Sequence, residues 1–266
     1  MPEEPLIKCH AGATALVTGA GRGIGRGIAW ALAEKGFDIV VNDLVDDAAT
    51  RETLDGIAVR GRRAAFLAHD VADVDGHAAF VANAFAAFGG IDCLVNNAGV
   101  QVEVRGDVLA VTPQSFDRVL GVNLRGTFFL TQAIARRMLA VTPVPGDVPR
   151  SIVTISSANA RTVGPNRAEY CIAKAGLSML NQLFAQRLAE HDIMCYEIRP
   201  GIIRTDMTAG AFDRYDGLIK EGLTPIRRWG EPSDVGATVA ALALRLLPFN
   251  TGDAFNVDGG LHMKVL

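Results

Sequence analysis

Aromatic residues are scarce in this 266-residue chain, at 6% of the total. A sandwich built on aromatic layers is therefore not expected; the 28 glycines point instead to tight turns and close backbone approach. Cysteine is limited to Cys9, Cys93, Cys171 and Cys195, with no C-x-x-C pair and no histidine cluster beside them. That pattern argues against zinc and against a disulfide framework, so no metal is expected. Cys93 and Cys195 lie in apolar runs and read as small buried hydrophobes. No apolar run reaches the ~18 residues that span a bilayer. Met1 to His10 lacks the basic start and apolar stretch of a secretory signal. Neither charge is in excess, with 26 Lys plus Arg against 29 Asp plus Glu and a net charge of -3. A nucleic-acid partner would call for a basic face and a membrane surface for a polybasic segment, so neither partner is expected. The expectation is a reduced, cytoplasmic protein.

What the chain does have is apolar bulk, 49% of residues, enough for a sizeable core. Strand-length apolar runs alternate with helical patterns. Strands are expected at Ala13–Thr18, Asp38–Asp43, Ala64–His69, Ile91–Asn96, Ser151–Ser156, Ile193–Ile198 (stopping before Pro200) and Ala254–Val257. Helices are expected at Gly23–Lys35, Ala48–Arg60, Asp75–Phe88, Pro113–Ala140, Ala168–His191 and Pro232–Leu247. Val141 to Arg150, with three prolines, must be a loop, and residues 1–11 read as a flexible N-terminal segment. Alternation of this kind implies one α/β domain over residues 1–266. It is a doubly wound parallel sheet of about seven strands, with helices on both faces. Ligands of such sheets bind beyond the carboxyl ends of the strands.

The first strand runs into Thr18-Gly19-Ala20-Gly21-Arg22-Gly23-Ile24-Gly25 and opens a helix. Backbone N–H groups and the helix dipole there form a cradle for phosphate. No Gly-Lys-Ser/Thr follows, so it is not a P-loop. Its place after the first strand points to a dinucleotide. Asp43, ending the second strand, can accept hydrogen bonds from ribose hydroxyls and repels a 2′-phosphate. The residues after it supply no cation, and Arg22 is the one basic candidate nearby. NAD is therefore expected over NADP, without excluding the latter. Asp70, after the third strand, either accepts from an adenine amino group or caps its own loop.

Tyr170 and Lys174 stand four residues apart on an expected helix, on one face. A tyrosine is a poor base at neutral pH, and an adjacent ammonium would lower its pKa. Ser157 follows a strand end thirteen residues earlier, and Asn123 lies on the preceding long helix.

In these residues the sequence resembles the classical short-chain dehydrogenase/reductase family, over about Gly12 to Gly260. The motifs are TGAGRGIG at Thr18–Gly25, NNAG at Asn96–Gly99 and VNL around Asn123. Ser157 and YCIAK at Tyr170–Lys174 follow, then RPGIIRTDM at Arg199–Met207 and FNVDGG at Phe255–Gly260. The resemblance implies a Rossmann-fold oxidoreductase that moves hydride between NAD(P) and a ketone or secondary alcohol. Tyr170 would be the general acid/base and Lys174 the ribose anchor that tunes it. Ser157 would polarise the carbonyl, and Asn123 would position a relay water. Cofactor contacts would come from Gly19, Arg22, Gly23, Ile24, Gly25, Asp43, Asp70, Val71, Asn97, Ala98 and Gly99. Pro200, Gly201, Ile203 and Thr205 would join them beside the nicotinamide. Ser157, Asn159, Tyr170 and Met207 would border the substrate.

The tail motifs Trp229–Pro232 and Thr251-Gly252 resemble the 3-oxoacyl-[acyl-carrier-protein] reductase-like branch, which implies an acyl-thioester substrate. Against that, the turn Thr142–Pro149 lacks the branch's basic residues, and Asp43 favours NAD where reductive fatty-acid synthesis uses NADPH. A sugar, polyol or other small secondary alcohol stays open, as does a non-catalytic dinucleotide sensor. Arg161 or Arg167 would be placed to meet an anionic substrate. The stretch from Met207 to Leu223 implies a lid over the substrate. A homotetramer is expected, on the resemblance and on apolar residues of the two long helices: Phe128, Phe129 and Ile134, with Ala173, Gly176 and Leu177.

Overall fold

The apolar runs pair as neighbouring parallel strands: β1 (Thr14–Thr18), β2 (Asp38–Asp43), β3 (Ala64–Ala68), β4 (Cys93–Asn96), β5 (Arg150–Ile155), β6 (Ile193–Pro200) and β7 (Ala254–Val257). The computed structural model describes residues 12–141 and 148–263. The expected flexible segment 1–11, Cys9 and most of the proline-rich loop lie outside the described residues. The seven strands form one sheet in the order β3-β2-β1-β4-β5-β6-β7. Lateral growth reverses between β1 and β4, whose registered pairs include Val17 with Val95. A crevice opens at such a switch point, beyond the strands' carboxyl ends.

The strands are buried because helices cover both faces, and side chains alternate between two cores. Val17, Val41 and Val153 face one side, toward α1 (Gly23–Glu34) and α8 (Pro232–Ala243). Leu16, Val40 and Ile152 face the other, toward α3 (His77–Phe88), α5 (Thr127–Ala140) and α6 (Ala168–Leu188). The remaining helices are α2 (Ala48–Val59), α4 (Pro113–Leu120) and α7 (Phe212–Lys220). Helices α1 and α8 meet backbone to backbone. A Cβ on Gly27 would lie 2.6 Å from Pro232 Cβ, and one on Gly236 would lie 2.5 Å from the Gly27 carbonyl oxygen.

Among the boundaries that differ from the sequence reading, three have a plain physical reason. The expected helix Pro113–Ala140 is α4 and α5 joined through a π-helical turn, Gly121–Gly126. The segment Gly-Val-Asn-Leu-Arg-Gly holds no proline, so the helix continues with a changed hydrogen-bond register. At Gly126 the helix passes against the β3–α3 loop so closely that a Cβ would sit 2.1 Å from the Val71 carbonyl oxygen. β6 runs through Pro200, which pairs with Val257 while Gly201 N donates to the Val257 carbonyl. Proline removes one donor there without ending the ladder. α8 stops at Ala243; Arg245 turns left-handed at φ +55° and pairs with Asp192.

The apolar surface expected for oligomerisation is also placed differently. Ala173, Leu177 and Ile134 are buried within the chain, because their helical faces point to the sheet or to neighbouring helices. The exposed apolar residues of α6 are Ile172, Met179 and Leu183. Among the described residues, no helix is long and apolar enough to cross a membrane.

Candidate active site

One cleft of about 1290 Å³ lies along the carboxyl ends of the strands. Every residue named above as a cofactor or substrate contact except Arg161 lines it, from Gly19 and Asp43 at one end to Asn159 and Met207 at the other. Asn123 stands behind the wall, fully buried.

The glycine turn is bare because its surroundings leave no room for side chains. Gly19 has φ +61°, and a Cβ there would approach Ala98 Cα to 2.9 Å. Asn97 Nδ2 donates to the carbonyls of Thr18 and Gly19, at 2.9 Å each, which fixes the turn to the end of β4. Arg22 precedes α1 without a side-chain cap, so the first N–H groups of the helix remain open to the cleft. Its guanidinium leans instead toward Asp206, at 3.9 Å, across the cleft mouth. Asp43 accepts from Gly21 N at 2.9 Å and from Leu44 N at 2.8 Å, so the carboxylate is held at the strand end. Asp70 Oδ1 accepts from Ala72 N at 2.9 Å, which is the loop-capping role. Ile203 bridges to Gly230, and Thr205 starts a short turn, Asp206–Ala211, opposite Gly23. An open helix N-terminus, a side-chain-free turn and a fixed carboxylate in one elongated cleft fit an adenine dinucleotide.

At the other end, α6 delivers Tyr170 and Lys174 on one face, both nearly fully buried. Ser157, just past β5, lines the same space and accepts from Asn159 N at 3.1 Å. Lys174 Nζ donates to the Ile155 carbonyl at 3.0 Å and lies 5.6 Å from the centre of the Tyr170 ring. The lowering of Tyr170 expected from Lys174 is not what the geometry produces. Burial pushes the phenol above its usual value, with hydrogen bonding to Ser157 and the charges of Arg167 and Arg105 acting the other way. Lys174 is itself brought down to about 8 by burial, opposed by the negative charge of Glu197. Asn123 does not present its amide to the cleft: both amide atoms hold Val100.

The sequence reading passed over a polar cluster behind the site. Glu197, on β6, accepts from Ser156 Oγ at 2.5 Å and from Ser178 Oγ at 2.8 Å, and pairs with Arg199 at 2.8 Å. Ser178 extends the Tyr170–Lys174 stripe by one more helical step, and Ser156 adjoins Ser157. Glu197 thus ties the end of β5 to α6. The available signal was a carboxylate within the apolar strand IMCYEIRP.

A family model described as Enoyl-(Acyl carrier protein) reductase matches residues 19–262. L-rhamnose 1-dehydrogenase (NAD(P)(+)) of Sphingomonas sp. (strain SKA58) is 34% identical over 265 residues, 97% of this chain and 100% of that protein. The 3-oxoacyl-[acyl-carrier-protein] reductase FabG of Staphylococcus aureus (strain Mu50) is 34% identical over 253 residues, 94% of this chain and 98% of that one. The crystal structure of 3-oxoacyl-[acyl-carrier protein] reductase from Brucella melitensis in complex with NAD superposes with a TM-score of 0.91 at 52% identity, covering 96% of this chain and 98% of that one. With its seven parallel strands and the ordered motifs along the cleft, the chain belongs to the short-chain dehydrogenase/reductase family and is an NAD(P)-dependent oxidoreductase that interconverts secondary alcohols and ketones.

Proposed function

We propose that Tyr170 exchanges the proton with the substrate oxygen, that Ser157 donates to that oxygen, and that Lys174 holds the nicotinamide ribose. The observation that carries this reading is the meeting of Ser157, Tyr170 and Lys174 in one cleft with the open glycine turn. A bound nicotinamide supplies the hydride acceptor, or in reverse the donor. The protein's part is to place two hydroxyl groups where charge builds on oxygen and to pass one proton. Burial keeps the Tyr170 phenol protonated at neutral pH, which suits it to donate to a carbonyl oxygen. In the oxidative direction it must lose its proton, and the Ser157 hydrogen bond and the charges of Arg167 and Arg105 favour that state. Asn123 acts by holding the loop after β4 in place.

NAD is the preferred cofactor in this reading. The support is the Asp43 carboxylate, held at the end of β2 by Gly21 N, and the pairing of Arg22 with Asp206. The names of the reductase relatives support an acyl-thioester substrate as the second reading. A homotetramer is supported by the exposed stripe Ile172, Met179 and Leu183 on α6. The thiols of Cys93, Cys171 and Cys195 are free, which accords with a reducing, cytoplasmic setting. The test is a turnover screen with NAD and NADP against ketones, polyols and acyl thioesters. Failure of every substrate with both cofactors would overturn the reading.

A further inference from the structure

The substrate end of the cleft carries positive charge that the chain does not neutralise. Arg105, from the loop after β4, and Arg167, directly before α6, both line it. Neither has an ion pair among the described residues. The other charges there are accounted for differently. Arg118 pairs with Glu103 at 3.1 Å, Asp206 pairs with Arg22, Asp117 is exposed, and Arg214 packs over the Tyr215 ring. Arg161, the other sequence candidate, is exposed and does not line the cleft.

Arg167 is held rather than waving in solvent. Its side chain lies against Gly164, where an added Cβ would come within 2.9 Å of Arg167 Nε. That Nε is buried and has no acceptor. Nε is enclosed by the chain itself, so the terminal guanidinium nitrogens are the ones a ligand can reach. The charges of Arg167 and Arg105 both act on the Tyr170 phenol, so both stand near the reacting oxygen. An aliphatic acyl chain offers the guanidinium groups of Arg105 and Arg167 no acceptor, whereas an anion does.

We propose that the substrate is a hydroxy acid, or in reverse its keto acid, whose carboxylate is bound by Arg167 and Arg105 while its secondary hydroxyl lies at Tyr170 and Ser157. A guanidinium presents a planar fork that matches a carboxylate, which a neutral alcohol or a thioester lacks. The redox balance is that of the reaction class: the carbinol carbon loses a hydride to the oxidised nicotinamide, the hydroxyl proton leaves through Tyr170, and the carboxylate is unchanged. This inference rests on the oxidoreductase reading above.

The test compares matched pairs of secondary alcohols that differ only in carrying a free carboxylate or its methyl ester. Pantetheine thioesters of the same acids form a third arm. The readout is the ratio of kcat/KM for acid over ester, in wild type, Arg167→Met and Arg167→Lys. A ratio is needed because Arg167 also acts on Tyr170, an effect common to both partners of a pair. The wild-type ratio is expected at about 10- to 100-fold, the range of one charged hydrogen bond. It should fall toward unity in Arg167→Met and recover in part in Arg167→Lys. Equal kcat/KM for acid and ester, or preference for the thioester, overturns the proposal and leaves the oxidoreductase reading intact. If no pair turns over and the ketones and polyols of the wider screen fail as well, the oxidoreductase reading fails. Calorimetric titration of the acids into wild type and Arg167→Met then decides the anion site, and equal affinity overturns it.

Discussion

Asn123 grips Val100 by both of its backbone groups: Oδ1 accepts from Val100 N at 2.7 Å, and Nδ2 donates to the Val100 carbonyl at 2.9 Å. The π-helical turn places a fully buried amide opposite the loop that follows β4. Asn123→Ala would leave the N–H and carbonyl of half-buried Val100 without this partner. A loss of about 1–3 kcal/mol of stability is expected for each, together with reduced kcat. Urea denaturation and steady-state rates would check both. An unchanged midpoint with unchanged kcat would remove Asn123 from the site's support.

Tyr170→Phe should reduce turnover by about 100- to 10,000-fold, the usual cost of losing an acid/base group. The phenol acts on the substrate oxygen, so the affinity for NAD should change little. Fluorescence titration of the cofactor alongside the kinetics separates the two. Near-wild-type turnover would contradict the assignment.

Lys174 couples function to a stability penalty. Its folded pKa, about 8, lies below its ordinary value of 10.5 because the ammonium is buried. The unfolded chain therefore binds the proton more tightly, and the penalty is fully present below pH 8. It fades as pH rises from 8 toward 10.5. Lys174→Met should be more stable than wild type at pH 7, by about 1–3 kcal/mol, while losing turnover. The stability gap should narrow by pH 10. Chemical denaturation at the two pH values measures this; a gap that widens with pH has the wrong sign.

Glu197→Gln tests the cluster behind the site. Its negative charge supports the charged form of Lys174. Removing it should move the alkaline limb of the kcat/KM profile to lower pH. Loss of packing alone would lower rates at all pH values without displacing the limb.

Asp43→Ala should relax the preference for NAD. Two unit charges 4 Å apart at an effective dielectric near 20 interact by roughly 4 kcal/mol before screening. Solvent and salt in an open cleft leave a preference of about 5- to 150-fold. The ratio of kcat/KM for the two cofactors on one substrate reads it directly. A wild-type enzyme that works better with NADPH would overturn the role given to Asp43.

The strands and the cleft were legible because apolar strand runs and glycine turns announce themselves locally. Val17 and Val41 are apolar whatever their partners, and the turn at Gly19–Gly25 needs its glycines for reasons visible in the backbone. The family motifs carried Ser157, Tyr170 and Lys174 to one place. The π-turn at Asn123 was not legible, since it alters hydrogen-bond register without altering residue type. Nor was the electrostatic state of Tyr170, because spacing on a helix does not reveal how deeply a phenol is buried. Three of the residues expected at an oligomer surface, Ala173, Leu177 and Ile134, were misplaced for the same reason: Ala173 is buried while its neighbour Ile172, about 100° round the helix, is exposed.

The backbone contact between Gly27 and Gly236 has a consequence for how the protein is made. The helix that opens the glycine turn is finished only when the last helix docks on it, and the two lie more than two hundred residues apart. During synthesis the first half of the sheet emerges with one face of α1 uncovered. Non-local closures of this kind are slow and expose apolar surface while they wait. A nascent or truncated chain ending before Pro232 would carry every motif of the nucleotide turn and still lack the wall that holds it, so cofactor binding arrives as one of the final events of folding.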